Sequence, residues 1–382
     1  INYLMIWFLR KMFLPHPEPM NMILIHKKNI INNLEVLQSL QPKAEILPVL
    51  KSNAYGHWLK QVVKIIKKLD VPYLVVDSFP EYMIVKKYTK QNILLLWETL
   101  PDNYRYFNFK KTAFCVYNSK TLEELWKIWR EVRIHVFLNT GMNREWIDED
   151  NLDSFLNTLK QYQNIEIEWV MSHLHSADNA YSNYIDQQID LFKKMYYKIV
   201  EAWYSPKWRH IWNSAWLMKI NDDFFNAYRP GLAMYGYNPL SVNDEKFNQW
   251  KRLKPALSVL STVISKHNLK YWDWVSYGHT YRSMDTEIVA NIPFGYAEWL
   301  PRSVANKIVF RMWKKYFKQV WTVCMNLSSF LIDKSVSLYD EVEIISENQS
   351  SKNTIKNLVD QNGMIIYEFL VWLDKGIRRE VI

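Results

Sequence analysis

The sequence has very little cysteine and no long hydrophobic run in its 382 residues. Two cysteines, Cys115 and Cys324, are too few for a disulfide framework or a cysteine-based zinc site. No segment reaches the roughly 18 consecutive apolar residues that a membrane-spanning helix needs. The apolar start carries Arg10 and Lys11, and no convincing signal-peptide cleavage site follows it. We expect a cytoplasmic protein without a membrane partner, in which residues 1–20 form an N-terminal extension of unclear status.

Glycine is also scarce, with 8 glycines against 18 tryptophans. Glycine normally makes up roughly 7% of a protein, and here the two residue types together reach about that share. The rest of the composition is ordinary, with 49% hydrophobic and 23% charged residues, which excludes an intrinsically disordered chain. A chain of this length is sufficient for two domains, or for one large barrel and a smaller module.

The net charge is +9, but lysine and arginine are spread along the chain without a long basic run. Such a charge fits an anionic small-molecule cofactor as well as it fits nucleic acid. Because the basic residues form no long run, we predict no nucleic-acid partner.

Short β-rich runs alternate with helical runs between residues 29 and 240. Strands are predicted at 44–51, 72–76, 92–96, 113–116, 133–138, 165–171, 208–211 and 225–229. Helices are predicted at 58–69, 120–130, 151–162 and 181–202. This alternation predicts a (β/α)₈ TIM-type barrel over residues 21–245. A doubly wound sheet is the competing architecture, but no G-x-G-x-x-G follows the first strand.

The pattern changes beyond Lys254-Pro255, where β-branched and alternating runs separated by turns replace long helices. Strands are predicted at 257–265, 286–292, 307–311, 318–324 and 340–345, with a helical pattern at 352–359. The fold class is therefore α/β plus β, with a mostly β C-terminal domain over residues 246–382.

The first candidate site is Lys51, which ends a buried strand and precedes a turn in Val49-Leu50-Lys51-Ser52-Asn53-Ala54-Tyr55-Gly56-His57. Barrel active sites lie at the carboxyl ends of the strands. A lysine flanked by apolar residues there can lose its proton and form a Schiff base with an aldehyde. The alternative is a lysine whose stem simply covers apolar surface at a strand end.

A second candidate site follows the last two predicted barrel strands. Asn213-Ser214 comes after one of them, and Arg229-Pro230-Gly231 comes after the other. Barrels often bind phosphate with these loops, because hydroxyl and backbone N–H donors converge there. An ordinary helix cap is the alternative for Asn213-Ser214.

Two further loops carry polar residues at strand ends. Arg144, in Asn139-Thr140-Gly141-Met142-Asn143-Arg144, can bind a carboxylate with two hydrogen bonds. His173 and His175 form an H-x-H pattern, but no third ligand is evident, so we predict no metal site. In the β domain, Tyr277, Tyr296 and Met325 lie in turn-like segments that carry little information separately.

In this order and spacing, from about residue 21 to the end, these segments resemble the alanine racemases, pyridoxal 5'-phosphate enzymes with an N-terminal barrel and a C-terminal β domain. The resemblance implies that Lys51 carries the cofactor and that Tyr277, supplied by the other subunit, is the opposing base. At the cofactor, the resemblance implies that the phosphate is bound by Tyr55, Asn213, Ser214 and Gly231. It places Arg229 at the pyridine nitrogen and His173 at the ring. At the substrate carboxylate it places Arg144, together with Met325. Tyr296 would line the entrance.

The implied function is interconversion of L-alanine and D-alanine, which supplies D-alanine for cell-wall peptidoglycan. Racemisation removes a proton from one face of the α-carbon and returns one to the other face. One base cannot easily serve both faces, so Lys51 and Tyr277 form an economical pair. Since Tyr277 comes from the partner, the resemblance implies a two-fold homodimer with composite sites.

The sequence departs from the family pattern at several positions. Phe137 occupies the position of the lysine, often carbamylated, that supports the carboxylate-binding arginine, and Asn326 stands where aspartate is usual. His175 replaces a small residue. The phosphate-binding tyrosine near the C-terminus has no evident counterpart, and residues 373–379 occupy that region.

Three alternatives remain open at this stage. The chain could be a broad-specificity or serine racemase, because the sequence does not identify the residues that surround the substrate side chain. It could be a non-catalytic pyridoxal-phosphate binding protein, although its β domain with Tyr277 argues against that. A decarboxylase of similar domain order would need an acidic partner for the pyridine nitrogen, where Arg229 is expected.

Several tryptophans stand where the family has glycine or where a turn favours it. These positions are Trp58, Trp146, Trp216, Trp272, Trp299, Trp313 and Trp321. Turn positions with positive φ favour glycine and strain a bulky side chain. Some bacterial lineages read UGA as glycine, so we hypothesise that many of these codons are UGA. In that case the printed chain should show backbone strain in these loops.

Overall fold

The computed structural model describes residues 18–144, 146–175, 184–211, 213–219, 222–241 and 243–382. Two compact units emerge. One comprises residues 24–258, 346–373 and 381–382, and the other comprises residues 259–345 and 374–380 with the described N-terminal residues up to 23. The segment His173–Asp178 singled out in the sequence lies partly outside the described residues, as do most of the N-terminal extension and residues 181–183 of a predicted helix.

Among its described residues, the first unit contains eight strands that follow one another around a parallel barrel. After an initial strand β1 (Met22–Ile25), they are β2 (Glu45–Ile46), β3 (Leu74–Val76), β4 (Ile93–Leu95), β5 (Thr112–Val116), β6 (Val132–Phe137), β7 (Ile165–Met171), β8 (Trp208–His210) and β9 (Ala227–Tyr228). Strands β3 to β8 form one sheet in sequence order, and β2 pairs with β9. A bridge between Val49 and Val75 joins β2 to β3, and Asn226 donates its backbone N–H to the Arg209 carbonyl at 3.2 Å to join β8 to β9.

Helices connect most of these strands. They are α1 (Lys27–Leu40), α2 (Leu59–Ile66), α3 (Phe79–Tyr88), α4 (Ser119–Trp126), α5 (Glu149–Leu159), α6 (Tyr184–Glu201) and α7 (Ser214–Leu217). Short 3₁₀ turns lie at Pro101–Tyr106, Phe109–Lys111, Leu232–Tyr235 and Phe247–Arg252. None of the described helices is both long enough and apolar enough to cross a membrane.

The apolar pattern explains why these segments adopt these elements. Every residue of β3, β4 and β5 is buried, as parallel strands covered on both faces require. In α5, the buried residues Leu152, Phe155, Leu156 and Leu159 form the single apolar face that their spacing predicts. The predicted fold class, a barrel with a mostly β domain, is confirmed.

The remaining strands belong to an antiparallel region. They are β10 (Leu257–Thr262), β11 (Ser265–Leu269), β12 (Glu287–Ile292), β13 (Val309–Met312), β14 (Lys315–Val320), β15 (Ser328–Ile332), β16 (Glu341–Ile345) and β17 (Arg378–Val381). With β1 they form a nine-stranded sheet in the order β11-β12-β15-β14-β13-β16-β10-β1-β17. Two short helices, α8 (Ile355–Asp360) and α9 (Ile366–Trp372), precede β17 and belong mainly to the first unit. Further 3₁₀ turns lie at Tyr277–His279 and Arg302–Val304.

Candidate active site

Lys51 begins a single left-handed turn at the carboxyl end of the first barrel strand. The next four residues, Ser52 to Tyr55, all have φ between 51° and 56°. Left-handed backbone costs a residue with a β-carbon about 1–2 kcal/mol, so this turn is strained. The Leu50 backbone N–H donates to the Val75 carbonyl at 2.7 Å, which fixes the strand end from which Lys51 projects.

The surroundings of Lys51 make its ammonium group easier to deprotonate. Burial lowers the pKa of the Lys51 amine below its ordinary value. Asp77 opposes this shift, while the guanidinium groups of Arg144 and Arg229 reinforce it. A neutral amine at a strand end is the form that acts as a nucleophile or a base.

Donor groups from three segments converge beyond Lys51. The Ser214 hydroxyl accepts the backbone N–H of Gly231 at 3.0 Å, and the Asn213 side chain caps the N–H of Ala215 at 3.1 Å. A β-carbon on Gly231 would lie only 2.3 Å from the Tyr55 hydroxyl oxygen, so glycine is required at this close approach. The structure therefore brings together Tyr55, Ser214 and Gly231 in a cradle of hydroxyl and N–H groups.

Arg229 is buried and is held by carbonyl groups and an imidazole. Its guanidinium donates to the His210 carbonyl at 2.9 Å, to the Ser172 carbonyl at 2.6 Å and to the His210 ring nitrogen Nδ1. Burial lowers the pKa of Arg229 to about 10, which leaves it protonated near neutral pH. Burial and the Arg229 charge also lower the pKa of His210, so its ring is neutral and Nδ1 can accept.

His173 lies among the charged groups around Lys51. Burial, together with the charges of Arg229, Lys51 and Arg144, lowers the pKa of His173 to about 3. Its imidazole is therefore neutral and presents an uncharged aromatic face. His175, two residues later, is exposed and its backbone N–H donates to Gln188 Oε1 at 3.2 Å.

The β-domain residues singled out in the sequence lie on two joined segments. The Tyr296 backbone N–H donates to the Cys324 carbonyl, and the Ala297 N–H donates to the Met325 carbonyl, both at 2.9 Å. Tyr277 presents 77% of its surface to solvent, while its carbonyl accepts the indole N–H of Trp321. The β unit thus exposes Tyr277, Tyr296 and Met325, as residues that serve a second chain would require.

Comparison with known protein families identifies the family to which the chain belongs. Residues 25–239 match the family model "Alanine racemase, N-terminal domain", and residues 256–381 match "Alanine racemase, C-terminal domain". The chain belongs to the alanine racemase family. It is therefore related to isomerases that depend on pyridoxal phosphate, and the fold and cofactor predicted from the sequence are confirmed.

Relatives among the alanine racemases match nearly the whole chain. The alanine racemase of Clostridium tetani is 28% identical over 365 residues, which cover 92% of each protein. That of Borreliella burgdorferi is 29% identical over 339 residues, covering 86% of this chain and 89% of its own. The structure of the Bacillus anthracis alanine racemase with bound L-Ala-P is 27% identical, with a TM-score of 0.87 and 96% coverage of both chains.

The departure at Phe137 leaves Arg144 with aromatic neighbours in this racemase-family chain. Phe137 stacks on Trp146 with ring centroids 4.5 Å apart, and the Arg144 guanidinium lies 5.3 Å from the rings of Trp97 and Trp146. Such cation–π contacts hold a guanidinium in place without a negative charge. Phe137 thus reaches Arg144 through the ring of Trp146, which contacts both side chains.

Tyr367 is a site residue that the sequence reasoning missed. It lies on α9, with its ring centroid 6.1 Å from that of Tyr55 and about 40% of its surface exposed. Its charge helps burial to raise the pKa of Tyr55, which also indicates proximity. Residues 373–379, which occupy the region of the expected C-terminal tyrosine, contain none, whereas Tyr367 lies beside Tyr55 of the cradle. The available signal was its position near the start of the mostly apolar segment 366–372.

Proposed function

We propose that this chain interconverts L-alanine and D-alanine, with Lys51 acting on one face of the α-carbon and Tyr277 of the other subunit acting on the opposite face. The observation that carries the proposal is the environment of Lys51. Its amine is shifted towards the neutral form in the presence of Arg144, Arg229 and His173. The barrel mouth thus combines the Lys51 amine with Arg144, a cation that can bind a carboxylate. Arg229 and His173 are groups there that can bind the cofactor ring.

The residues present fit pyridoxal phosphate. The cradle of Tyr55, Ser214 and Gly231 offers hydroxyl and N–H donors for the phosphate, and Gly231 leaves the room that a β-carbon would fill. Asn213 holds the start of α7 in position, and Tyr367 adds a hydroxyl at the same end. The neutral imidazole of His173 would support the ring.

When bound, the cofactor draws electrons away from the substrate α-carbon and so makes its proton removable. The chain supplies the groups that move this proton. The Lys51 amine, in its deprotonated form, would take it on one face, and the Tyr277 hydroxyl would deliver one on the other. Arg144, with Met325 of the other subunit, would bind the substrate carboxylate and fix which α-carbon bond faces the bases.

Arg229 would face the ring nitrogen of the cofactor. Three acceptors hold its guanidinium, and it stays protonated at neutral pH. A cation there would keep the ring nitrogen unprotonated, which would weaken electron withdrawal and limit side reactions. A decarboxylase of similar domain order would instead present a carboxylate at this nitrogen.

The active assembly is proposed to be a two-fold homodimer in which each site combines Lys51 of one subunit with Tyr277 of the other. The high exposure of Tyr277 in a single chain supports this arrangement. Tyr296 would line the entrance to the site. The product D-alanine would serve cell-wall peptidoglycan, and the enzyme would work in the cytoplasm.

Substrate preference tests the proposed reaction. We expect the holoenzyme to racemise L-alanine much faster than L-serine or L-lysine, and to convert D-alanine back to L-alanine. The rates are measured from both directions by chiral chromatography, with the chain freed of pyridoxal phosphate as the control. Equal rates on all three amino acids would replace the alanine assignment with a broad-specificity racemase, and no turnover of any would favour a non-catalytic binding protein.

A further inference from the structure

Glu81 lies in the first turn of α3, three residues after Ser78. This spacing is typical of a capping box, in which the glutamate accepts the backbone N–H of the residue that caps the helix. Here the carboxylate reaches elsewhere. Oε1 accepts the backbone N–H of Asn53 at 2.8 Å, and Oε2 approaches the N–H of Asp77 at 3.4 Å. Glu81 therefore binds the turn that follows Lys51 instead of only its own helix.

Asn53 is the centre of that strained turn. Its φ is 56°, and Ser52, Ala54 and Tyr55 on either side are also left-handed. The Asn53 side chain accepts the backbone N–H of Leu59 at 2.9 Å, which ties the turn to the start of α2. Strained backbone persists only where its surroundings hold it, and Glu81 is one of the groups that do so here.

Glu81 also affects the charge at Lys51. Its negative charge and that of Asp77 oppose the lowering of the Lys51 pKa. Burial, assisted by Asp77, raises the pKa of Glu81 itself to about 7. Glu81 thus acts on Lys51 in two ways, through the backbone of the turn and through its charge.

We infer that Glu81 is a positioning residue for Lys51, because its carboxylate holds the left-handed turn through the Asn53 N–H and so fixes the direction of the amine. The inference rests on the proposed role of Lys51 and adds a residue outside the family motif. A small displacement of a reacting group costs of the order of a hundredfold in rate, so a loosened turn should affect turnover more than substrate binding.

Two substitutions separate geometry from charge. Glu81→Gln keeps an oxygen that accepts the Asn53 N–H, whereas Glu81→Ala removes it. We expect E81A to lower kcat for alanine of the order of a hundredfold with little change in KM, and to lose pyridoxal phosphate faster on dialysis. We expect E81Q to restore kcat to within a few-fold. The matched control is Glu149→Ala, which removes a first-turn glutamate of α5 paired with Lys194 at 2.7 Å.

A second readout does not depend on catalysis. In the cofactor-free chain, the rate at which trinitrobenzenesulfonate labels Lys51 is followed by peptide mass. Both variants remove the charge that opposes deprotonation of Lys51, so they are compared with each other, and we expect E81A to be labelled several-fold faster than E81Q. If E81A does not fold, Glu81→Asp, whose carboxylate is one methylene shorter, takes its place. Wild-type labelling and kcat in E81A, or equal losses in E81A and E81Q, would overturn the positioning role. An inactive wild type with altered E81A labelling would defeat only the proposed function.

A second inference comes from an independent observation, the backbone at tryptophan. Seven described tryptophans have left-handed φ angles between 54° and 81°: Trp58, Trp129, Trp203, Trp272, Trp299, Trp313 and Trp321. Five of them are positions singled out in the sequence as glycine-like. The β-carbon of any L-residue is crowded in this region, and glycine alone enters it freely.

Trp203 shows the pattern most clearly. It follows α6, and its N–H donates to the Val200 carbonyl at 3.0 Å, while the N–H of Tyr204 donates to the Ile199 carbonyl at 3.3 Å. These two bonds form a Schellman motif, in which the left-handed position is usually glycine. Its side chain is 94% exposed, so packing does not hold tryptophan there. Trp313 opens the two-residue hairpin turn between β13 and β14, where positive φ is again required.

We infer that these seven positions are glycine in the protein as its own cell makes it, because UGA is read there as glycine.

Peptide masses show whether glycine or tryptophan is inserted at these positions. In protein isolated from its source cells, we expect the tryptic peptides spanning positions 58 and 203 to contain glycine, and tryptophan at both would overturn the inference. The strain is tested separately on the printed chain with Trp203→Gly and Trp203→Ala, which both remove the indole. Only glycine removes the β-carbon, so we expect W203G to melt roughly 2 °C or more above W203A. Equal melting temperatures would contradict the strain on which the inference depends.

Discussion

Replacing Lys51 by alanine should abolish racemisation and remove the visible absorbance band of the bound cofactor. The Lys51 amine is the group in the barrel mouth that combines a lowered pKa with a position at a strand end. Its loss removes both the covalent anchor of the cofactor and one of the two bases. We expect alanine turnover to fall by ~10³-fold or more, measured by chiral chromatography alongside absorbance.

The matched control is Lys43→Ala. The side chain of Lys43 is 86% exposed, and its ammonium lies 4.0 Å from the Asp223 carboxylate, so its removal should leave both band and turnover unchanged. A wild-type chain without any band would contradict the cofactor assignment. A K51A chain that keeps its band would move the anchor to a different lysine.

Barrel strands were predictable because their apolar runs are continuous and short. The predicted strands 113–116, 133–138 and 165–171 agree with β5, β6 and β7 within one residue at each end. Buried parallel strands carry the strongest pattern in a sequence of this class. In contrast, β2 spans only Glu45–Ile46, because Pro48 has no N–H to donate, although Leu47 and Val49 still donate to the Tyr228 and Pro230 carbonyls.

Two of the elements that escaped prediction lack a periodic signal of their own. β15 (Ser328–Ile332) is only five residues long and follows a turn, so it could not be distinguished from the loop before it. α9 (Ile366–Trp372) spans seven residues, of which only Glu368 is charged, so its periodicity identifies no face. For this reason Tyr367, which α9 brings beside Tyr55, was also missed.

The residues of the candidate site also fall into a predictable group and an unpredictable one. Lys51, Ser214 and Gly231 belong to local motifs, and their order along the chain was sufficient to predict them. Glu81 and His210 act through contacts with residues 28 and 19 positions away, respectively, at Asn53 and Arg229. Such pairs depend on which strands become neighbours in the barrel, and no local pattern contains that information.

Replacing Tyr277 by phenylalanine should also abolish most racemisation, although the cofactor stays bound. The change removes only the hydroxyl that exchanges the proton on one face, while the ring and the barrel residues remain. We expect kcat to fall by ~10²- to 10⁴-fold with an unchanged absorbance band. The matched control is Tyr271→Phe, which removes an exposed tyrosine hydroxyl from the same unit and should have no effect.

Mixing the two inactive variants tests whether the site is composite. Each site of the proposed dimer takes Lys51 from one subunit and Tyr277 from the other. A heterodimer of K51A and Y277F therefore contains one site in which both residues are altered and one in which both are intact. After unfolding and refolding of an equal mixture, half of the dimers are mixed, so about a quarter of wild-type activity should return. Recovery does not occur if Lys51 and Tyr277 act within one chain, because each chain then lacks one base whatever its partner.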